Sequence, residues 1–288
     1  MGNSFYHLIK TARPRQWIKN LSLYAALVFS GKLFVAQDFW TVTWAAVVWS
    51  ILVSAIYFFN DIVDAPLDRM HPFKKNRPIA AGRLPVPVAG FIFLVGVFVA
   101  LWLGFNLGTF YFMSQLGYLL LQIGYTLVLK HMAVLDVMAI ALGFIVRVYA
   151  GAFAINAHLS VWFLLCVISV SLFMAVGKRR AELSILTEQM AARHRKTFSI
   201  YNANLLDTYL AMFANSAWLS WAIFTFFEPP PVIPTKALLV LANLPLTVAG
   251  TNKWLMLTTP IVIFGVMRYA KVVYEGARAE SPARVLMS

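Results

Sequence analysis

Asn60–Leu84, NDIVDAPLDRMHPFKKNRPIAAGRL, closes a long apolar run and decides how the rest of the chain is read. It gathers Asp61, Asp64 and Asp68 with Arg69, Lys74, Lys75, Arg77 and Arg83, in a chain that is 61% hydrophobic and only 12% charged. If the apolar helix before it continues, a turn of about 100° per residue brings the three carboxylates within about 60° of one another. One face can share one metal site. Pro66 opposes that continuation, because a proline inside a helix removes a hydrogen bond and clashes with the carbonyl four residues back. On that reading Asp64 ends the regular helix and Asp68 arrives from a turn. The segment His71 to Leu84, rich in Pro and Gly, reads as a loop.

Carboxylates beside cations at the edge of an apolar run call for a shared partner, and magnesium with a pyrophosphate group fits. Magnesium held by carboxylates keeps positions for water and phosphate oxygens. Lys74, Lys75 and Arg77 are placed to take the oxygens that the metal does not reach. The plain alternative, solvated carboxylates paired to lysines that serve membrane topology, stays open.

Outward from this stretch the chain is apolar nearly throughout, which predicts an all-α, polytopic membrane bundle of eight or nine transmembrane helices. Windows of about 20 apolar residues fall near 19–37, 39–59, 86–105, 107–129, 133–156, 159–177, 207–227 and 254–274, with a short ninth at 236–250. Repeats and linkers are not evident, so residues 1–288 are expected to form one integral-membrane domain. The formal net charge of +13 does not point to nucleic acid, because the lysines and arginines crowd into alternate loops. By the positive-inside rule those loops are cytoplasmic, as in a bacterial-type inner or plasma membrane. A ninth span would put the basic tail with Arg268 and Lys271 on the opposite side, so the parity of the tail stays open. The single Cys166 excludes a disulfide framework and a cysteine-based metal site. The first span carries no cleavage signal and is expected to be retained.

Further charged groups fall at the same cytoplasmic ends. Arg13, Arg15 and Lys19 precede the first span, where they anchor an interfacial helix or hold a lipid phosphate. Asp136 and Arg147 are eleven residues apart, so they share a face of the fifth span with Arg147 about 16 Å deeper. An arginine at that depth is a site candidate, or a structural residue satisfied by carbonyls. Tyr125 and Lys130 flank the same mouth. Lys178 and Arg179 at the end of the sixth span either complete a cationic rim or belong to a solvated helix face, with Glu182 four residues after Lys178.

NDIVDAPLD is an instance of N-D-x-x-D-x-x-x-D and resembles the first acidic motif of the UbiA-type intramembrane prenyltransferase superfamily. RPRQWIKNL, DRMHPFKKNRPIAAGRL, LDVMAIALGFIVRVYAGAFAI and GKRRAEL are together similar to one branch, the decaprenyl-phosphate phosphoribosyltransferases. The resemblance runs to about Ala192, with a weaker match at RYAKVVYEGARAESPARVL. It implies transfer of 5-phosphoribose from 5-phosphoribosyl 1-diphosphate to a polyprenyl phosphate in the membrane. It implies Mg2+ on Asp61, Asp64 and Asp68 with help from Asn60, phosphate clamps at Lys74, Arg77 and Lys130, and Tyr125 and Asp136 near the ribose. A homo-oligomer is compatible with it.

One departure carries chemistry. Prenyltransferases of the superfamily usually carry D-x-x-x-D at the start of the fifth span, and here Ile140 stands four residues after Asp136. A lipid monophosphate needs no second metal clamp, which agrees with the branch. Prenyl transfer to an aromatic acceptor, or a membrane transporter or lipid-binding protein without chemistry, are the competing readings.

Overall fold

The computed structural model describes residues 2–70, 74–185, 201–228, 247–248 and 251–275, and nearly all of them are helical. Helix α1 (Gly2–Ala12) stops at Arg13, whose φ of 53° is left-handed, and Pro14 then opens a 3-10 helix, Pro14–Leu23, that runs directly into α2 (Tyr24–Phe29). The expected first span at 19–37 is therefore a broken element that stops short. Its polar residues explain the break: Asn20 donates to Ser50 Oγ at 2.8 Å, and beyond Gly31 Lys32 donates to the Ile155 carbonyl at 3.1 Å.

Helix α3 (Ala36–Met70) is the spine of the fold. Val42, Ala45, Trp49, Leu52, Val53 and Ile56 recur at helical spacing and are buried against the 3-10 segment, α4 (Val86–Phe105) and α5 (Thr109–Leu127). Contrary to the sequence expectation, α3 continues through Pro66 to Met70. The lost hydrogen bond is offset by tertiary contacts on the last turns. Ala65 packs with Ile79 and Leu84, Arg77 pairs with Asp68, and Arg69 donates to the Ala80 carbonyl at 3.3 Å.

The second half adds α6 (Leu135–Ala154), α7 (Val161–Ile185), α8 (Ala203–Phe227) and α9 (Thr259–Tyr274). A two-residue antiparallel ladder, Thr247–Val248 with Thr251–Asn252, precedes the 3-10 turn Trp254–Thr258 that enters α9. Helix α6 joins the two cores. Its C-terminal part packs with α2 and α3, and its N-terminal part packs with Leu172, Val176, Leu206 and Tyr269.

Among the described residues six helices are long and apolar enough to cross a membrane: Ala36–Met70, Val86–Phe105, Leu135–Ala154, Val161–Leu183, Ala203–Phe227 and Trp254–Tyr274. The count of eight or nine is not reached there. Besides the broken first element, α5 carries Gln115, Gln122 and three tyrosines, and spends them inward: Gln115 is fully buried and Tyr111 donates to the Ala45 carbonyl at 2.7 Å. The apolar exterior fits lipid, as on α4, where Phe91, Leu94, Phe98 and Trp102 form an exposed stripe. This is an integral membrane protein.

The short ninth span at 236–250 lies almost wholly outside the described residues, as does the charged stretch after Ile185. The contacts of the described residues place the two ends of α9. Trp221 near the end of α8 donates to Thr258 at 2.9 Å, so the connection begins and ends at one end of the bundle. Helix α9 then returns to the other end, where Tyr274 lies 5.4 Å from the Arg180 guanidinium.

Candidate active site

The charged ends of α3, α5, α6 and α7 meet at one end of the bundle, together with the α1–Pro14 corner. Asp61 and Asp68 are buried, and Asp64 keeps 28% of its side chain exposed. Arg13 reaches Asp61 Oδ1 at 2.5 Å, and Arg77 bridges Asp61 at 3.2 Å and Asp68 at 2.6 Å. Lys130, on the 3-10 turn Leu129–His131 after α5, pairs with Asp64. Asn60 accepts a hydrogen bond from the buried Thr126 hydroxyl.

The left-handed backbone of Arg13 serves this arrangement. A non-glycine residue with positive φ immediately before a proline is strained, and here it turns the chain so that the guanidinium points at α3. The same guanidinium stacks 4.6 Å from the Tyr57 ring, one helical turn below Asp61.

The three aspartates share a face as expected, yet they do not converge on one ion. No group of three carboxylate, histidine or cysteine side chains among the described residues is gathered for a metal. The cause is the unbroken helix: seven residues separate Asp61 from Asp68, a rise of about 10 Å, and magnesium bonds are about 2 Å long. The donor chemistry still suits magnesium, a hard cation that is commonly held by one or two carboxylates and completed by phosphate oxygens and water. In the ion pairs seen here each aspartate uses one oxygen, Oδ1 of Asp61, Oδ1 of Asp64 and Oδ2 of Asp68.

Across the mouth, Asp136 in the first turn of α6 is sealed completely. Arg179 Nε lies 2.6 Å from its Oδ2, and Tyr201 donates to its Oδ1 at 2.9 Å. Burial pushes the Tyr201 phenol up, so it stays protonated and can donate. The Val134 amide donates to the same phenol oxygen at 2.6 Å, and Val134 has a φ of 68°, a strained value for a β-branched residue. Arg179, with 1% of its side chain exposed, also reaches Glu182 at 2.5 Å and donates to the Tyr125 hydroxyl at 2.7 Å.

Asp136 was expected beside a ribose. Enclosed between an arginine and a phenol, it instead positions Arg179, and through Arg179 it positions Tyr125 and Glu182. Ile140 packs into the second apolar core, where a second acidic clamp would otherwise stand.

Arg147 is the deep arginine of α6. Its guanidinium donates to the Gly143 carbonyl at 3.1 Å and to the Tyr118 hydroxyl, and it lies 4.7 Å from the Tyr118 ring and 5.4 Å from the Phe144 ring. Lys19, half-buried on the 3-10 segment, is near enough to Arg147, Lys178 and Arg13 to be repelled by all three. Lys178 is 3.8 Å from Glu182, the helix-face pair anticipated from spacing. Arg15 and Lys74 are exposed. Thr126, Tyr57, Tyr118 and Tyr201 carry no mark in the sequence: each is a common residue in an apolar or polar run, and only the packing makes it a partner.

Beside Lys130 an apolar cavity of about 260 Å³ opens between α5, α6 and α7, lined among others by Leu129, Leu135, Met138, Leu142 and Ile168.

The profile of the UbiA prenyltransferase family matches residues 21–287. A decaprenyl-phosphate phosphoribosyltransferase of Mycolicibacterium smegmatis is 37% identical over 227 residues, 76% of this chain and 70% of that protein. The protein of the same name from Mycobacterium tuberculosis is 35% identical over 223 residues, 76% of this chain and 74% of that protein. In fold, the chain is similar to a UbiA homolog from Archaeoglobus fulgidus solved bound to GPP and Mg2+. The TM-score is 0.76 at 14% identity, with 98% of this chain and 93% of that one covered. With the family profile spanning nearly its whole length and the helices superposing on a member, the chain belongs to the UbiA prenyltransferase family.

Proposed function

We propose that this protein is a magnesium-dependent transferase that moves 5-phosphoribose from 5-phosphoribosyl 1-diphosphate to a polyprenyl phosphate and releases pyrophosphate. The identity with phosphoribosyltransferases of that substrate class supports the reading. The observation that carries it is the asymmetry between α3 and α6: the aspartates of the N-D-x-x-D-x-x-x-D motif stand at the mouth on α3, while on α6 Asp136 is sealed against Arg179 and Ile140 is apolar core. One diphosphate is served, not a second.

Asp61, Asp64 and Asp68 would hold magnesium, one or two carboxylates to an ion, with Asn60 fixed beside them by Thr126. Magnesium there neutralises charge on the leaving diphosphate oxygens. Arg77 and Lys130, now on the carboxylates, are within reach of the same diphosphate, and Lys74 and Arg15 stand at the rim. The lipid phosphate oxygen attacks the anomeric carbon as the bond from that carbon to the diphosphate oxygen breaks, through a sugar transition state of cationic character. A general base is not required, since a phosphate monoester has its second pKa near about 6 and is mostly dianionic at neutral pH. Arg179 and Tyr125, held by Asp136 and Glu182, form the opposite wall. The apolar cavity beside Lys130 suits isoprenoid units of the acceptor. The basic ends of the helices support a mouth on the cytoplasmic side, with residues 1–288 as one membrane unit.

Purified protein given labelled 5-phosphoribosyl 1-diphosphate, polyprenyl phosphate and Mg2+ should yield labelled lipid and pyrophosphate in equal amounts, and EDTA should abolish both. Label entering product only from a prenyl diphosphate would defeat the reading and favour prenyl transfer to an aromatic acceptor.

A further inference from the structure

Arg147 is 93% buried by its 7% exposure, yet its described partners are neutral: the Gly143 carbonyl, the Tyr118 hydroxyl and two aromatic faces. Its Nε is buried with no hydrogen-bond partner. Among the described residues no carboxylate pairs with it, and none pairs with Lys19. A buried guanidinium without a counter-ion carries a desolvation cost, and a second cation beside it adds repulsion.

The fold forces the two together. The 3-10 segment and α6 run side by side in the same direction, and Gly151 lets them touch, since a Cβ there would run into the Leu23 carbonyl. Lys19 is four residues before Leu23, about 8 Å along the 3-10 segment, and Arg147 is four before Gly151, about 6 Å along α6, so both cations lie nearer the mouth at levels about 2 Å apart. Lys178 and Arg13 are the other two cations whose charge acts on Lys19. Arg13 ties this level to the acidic face, because its guanidinium contacts both Asp61 and the Tyr57 ring. Tyr57 is four residues before Asp61, a step of about 6 Å along α3.

We propose that Lys19 and Arg147, with Lys178 at the rim, form a second anion subsite that binds a phosphate monoester, one helical turn deeper than the acidic face. A dianionic monoester balances two adjacent cations and gives the Arg147 Nε a partner. The phosphoribosyl-transfer reading offers two sources of that group, the 5-phosphate of the donor and the phosphate of the acceptor lipid. The naming of these sources rests on that reading, while the subsite itself does not.

Thermal unfolding of the full chain in detergent tests the subsite without turnover. With EDTA present, inorganic phosphate should raise the midpoint of the wild type and of Asp64→Asn, and leave Lys19→Met and Arg147→Met unmoved. Without EDTA, magnesium pyrophosphate should raise the midpoint of the wild type, Lys19→Met and Arg147→Met and leave Asp64→Asn unmoved, and Arg147→Lys should keep part of the response to phosphate. Kinetics then name the source. In Lys19→Met the KM should rise at least about tenfold for one substrate only: for phosphoribosyl diphosphate if its 5-phosphate sits here, for polyprenyl phosphate if the lipid does. The proposal is overturned if phosphate fails to stabilise the wild type, if it stabilises Lys19→Met and Arg147→Met equally well, or if neither KM moves. If Arg147→Met does not fold, Lys19→Met alone decides. A wild type that shows the phosphate pattern yet transfers no phosphoribose would sink the proposed reaction and leave the subsite standing.

Discussion

Asp64 and Asp136 face the same mouth from opposite walls, yet 28% of the Asp64 side chain is exposed and none of Asp136 is. Both are paired to a cation, Lys130 in one case and Arg179 in the other. The difference lies in what surrounds the pair. Asp64 stands on a helix end open to solvent, where a lysine can be exchanged for a metal and a phosphate. Asp136 is closed in by Tyr201, the strained Val134 corner and Arg179, so its charge is spent on architecture. The same residue type is a ligand candidate on one wall and a strut on the other, and the environment decides which.

The strongest way to break this contrast is Asp64→Asn. It should lower turnover about 1,000-fold, or ~4 kcal/mol of transition-state stabilisation, while unfolding stays cooperative; turnover within tenfold of wild type would make Asp64 ordinary solvated charge. On the other wall, Arg179→Met should cost stability, by about 3 kcal/mol, because it strands a buried carboxylate. The double variant Asp136→Leu with Arg179→Met should recover part of that loss, and thermal unfolding of the three proteins measures the coupling. No recovery would mean that Arg179 works through Tyr125 or Glu182 instead. The smallest effect is expected for Thr126→Val, which removes the hydrogen bond to Asn60 and leaves the ion pairs. A loss of about 1 kcal/mol in stability with turnover within tenfold of wild type would sharpen the contrast; a loss as large as that of Asp64→Asn would place Asn60 among the principal ligands.

Much of this fold was legible because lipid admits few solutions. The windows at 86–105 and 133–156 coincide with α4 and α6 almost to the residue, since an apolar run of that length has one way to satisfy its backbone. The first span misled because hydropathy averages over Asn20, Ser22 and Lys32, whose effect on the helix is local. Reading one face of α3 also left out the spread of its three aspartates along the axis. The helical wheel gives direction but not distance, and an argument from face alone does not see the rise along the axis.

Sequence by itself determined the membrane class, the acidic face of α3 and the lack of a second acidic pair, because composition, period and motif spacing are properties of the chain order. Tertiary structure alone decided that α3 runs on past Pro66, that α9 ends beside Arg180 at the site's end, that Asp136 is sealed and that Lys19 is repelled by Arg147. Each of these depends on energies between groups far apart in sequence: the ion pairs and packing that offset a lost hydrogen bond, the closure of a carboxylate by an arginine 43 residues later, and a close helix contact permitted by Gly151. Asn60–Leu84 names the chemistry, and the helices packed around it settle which of its charges can take part.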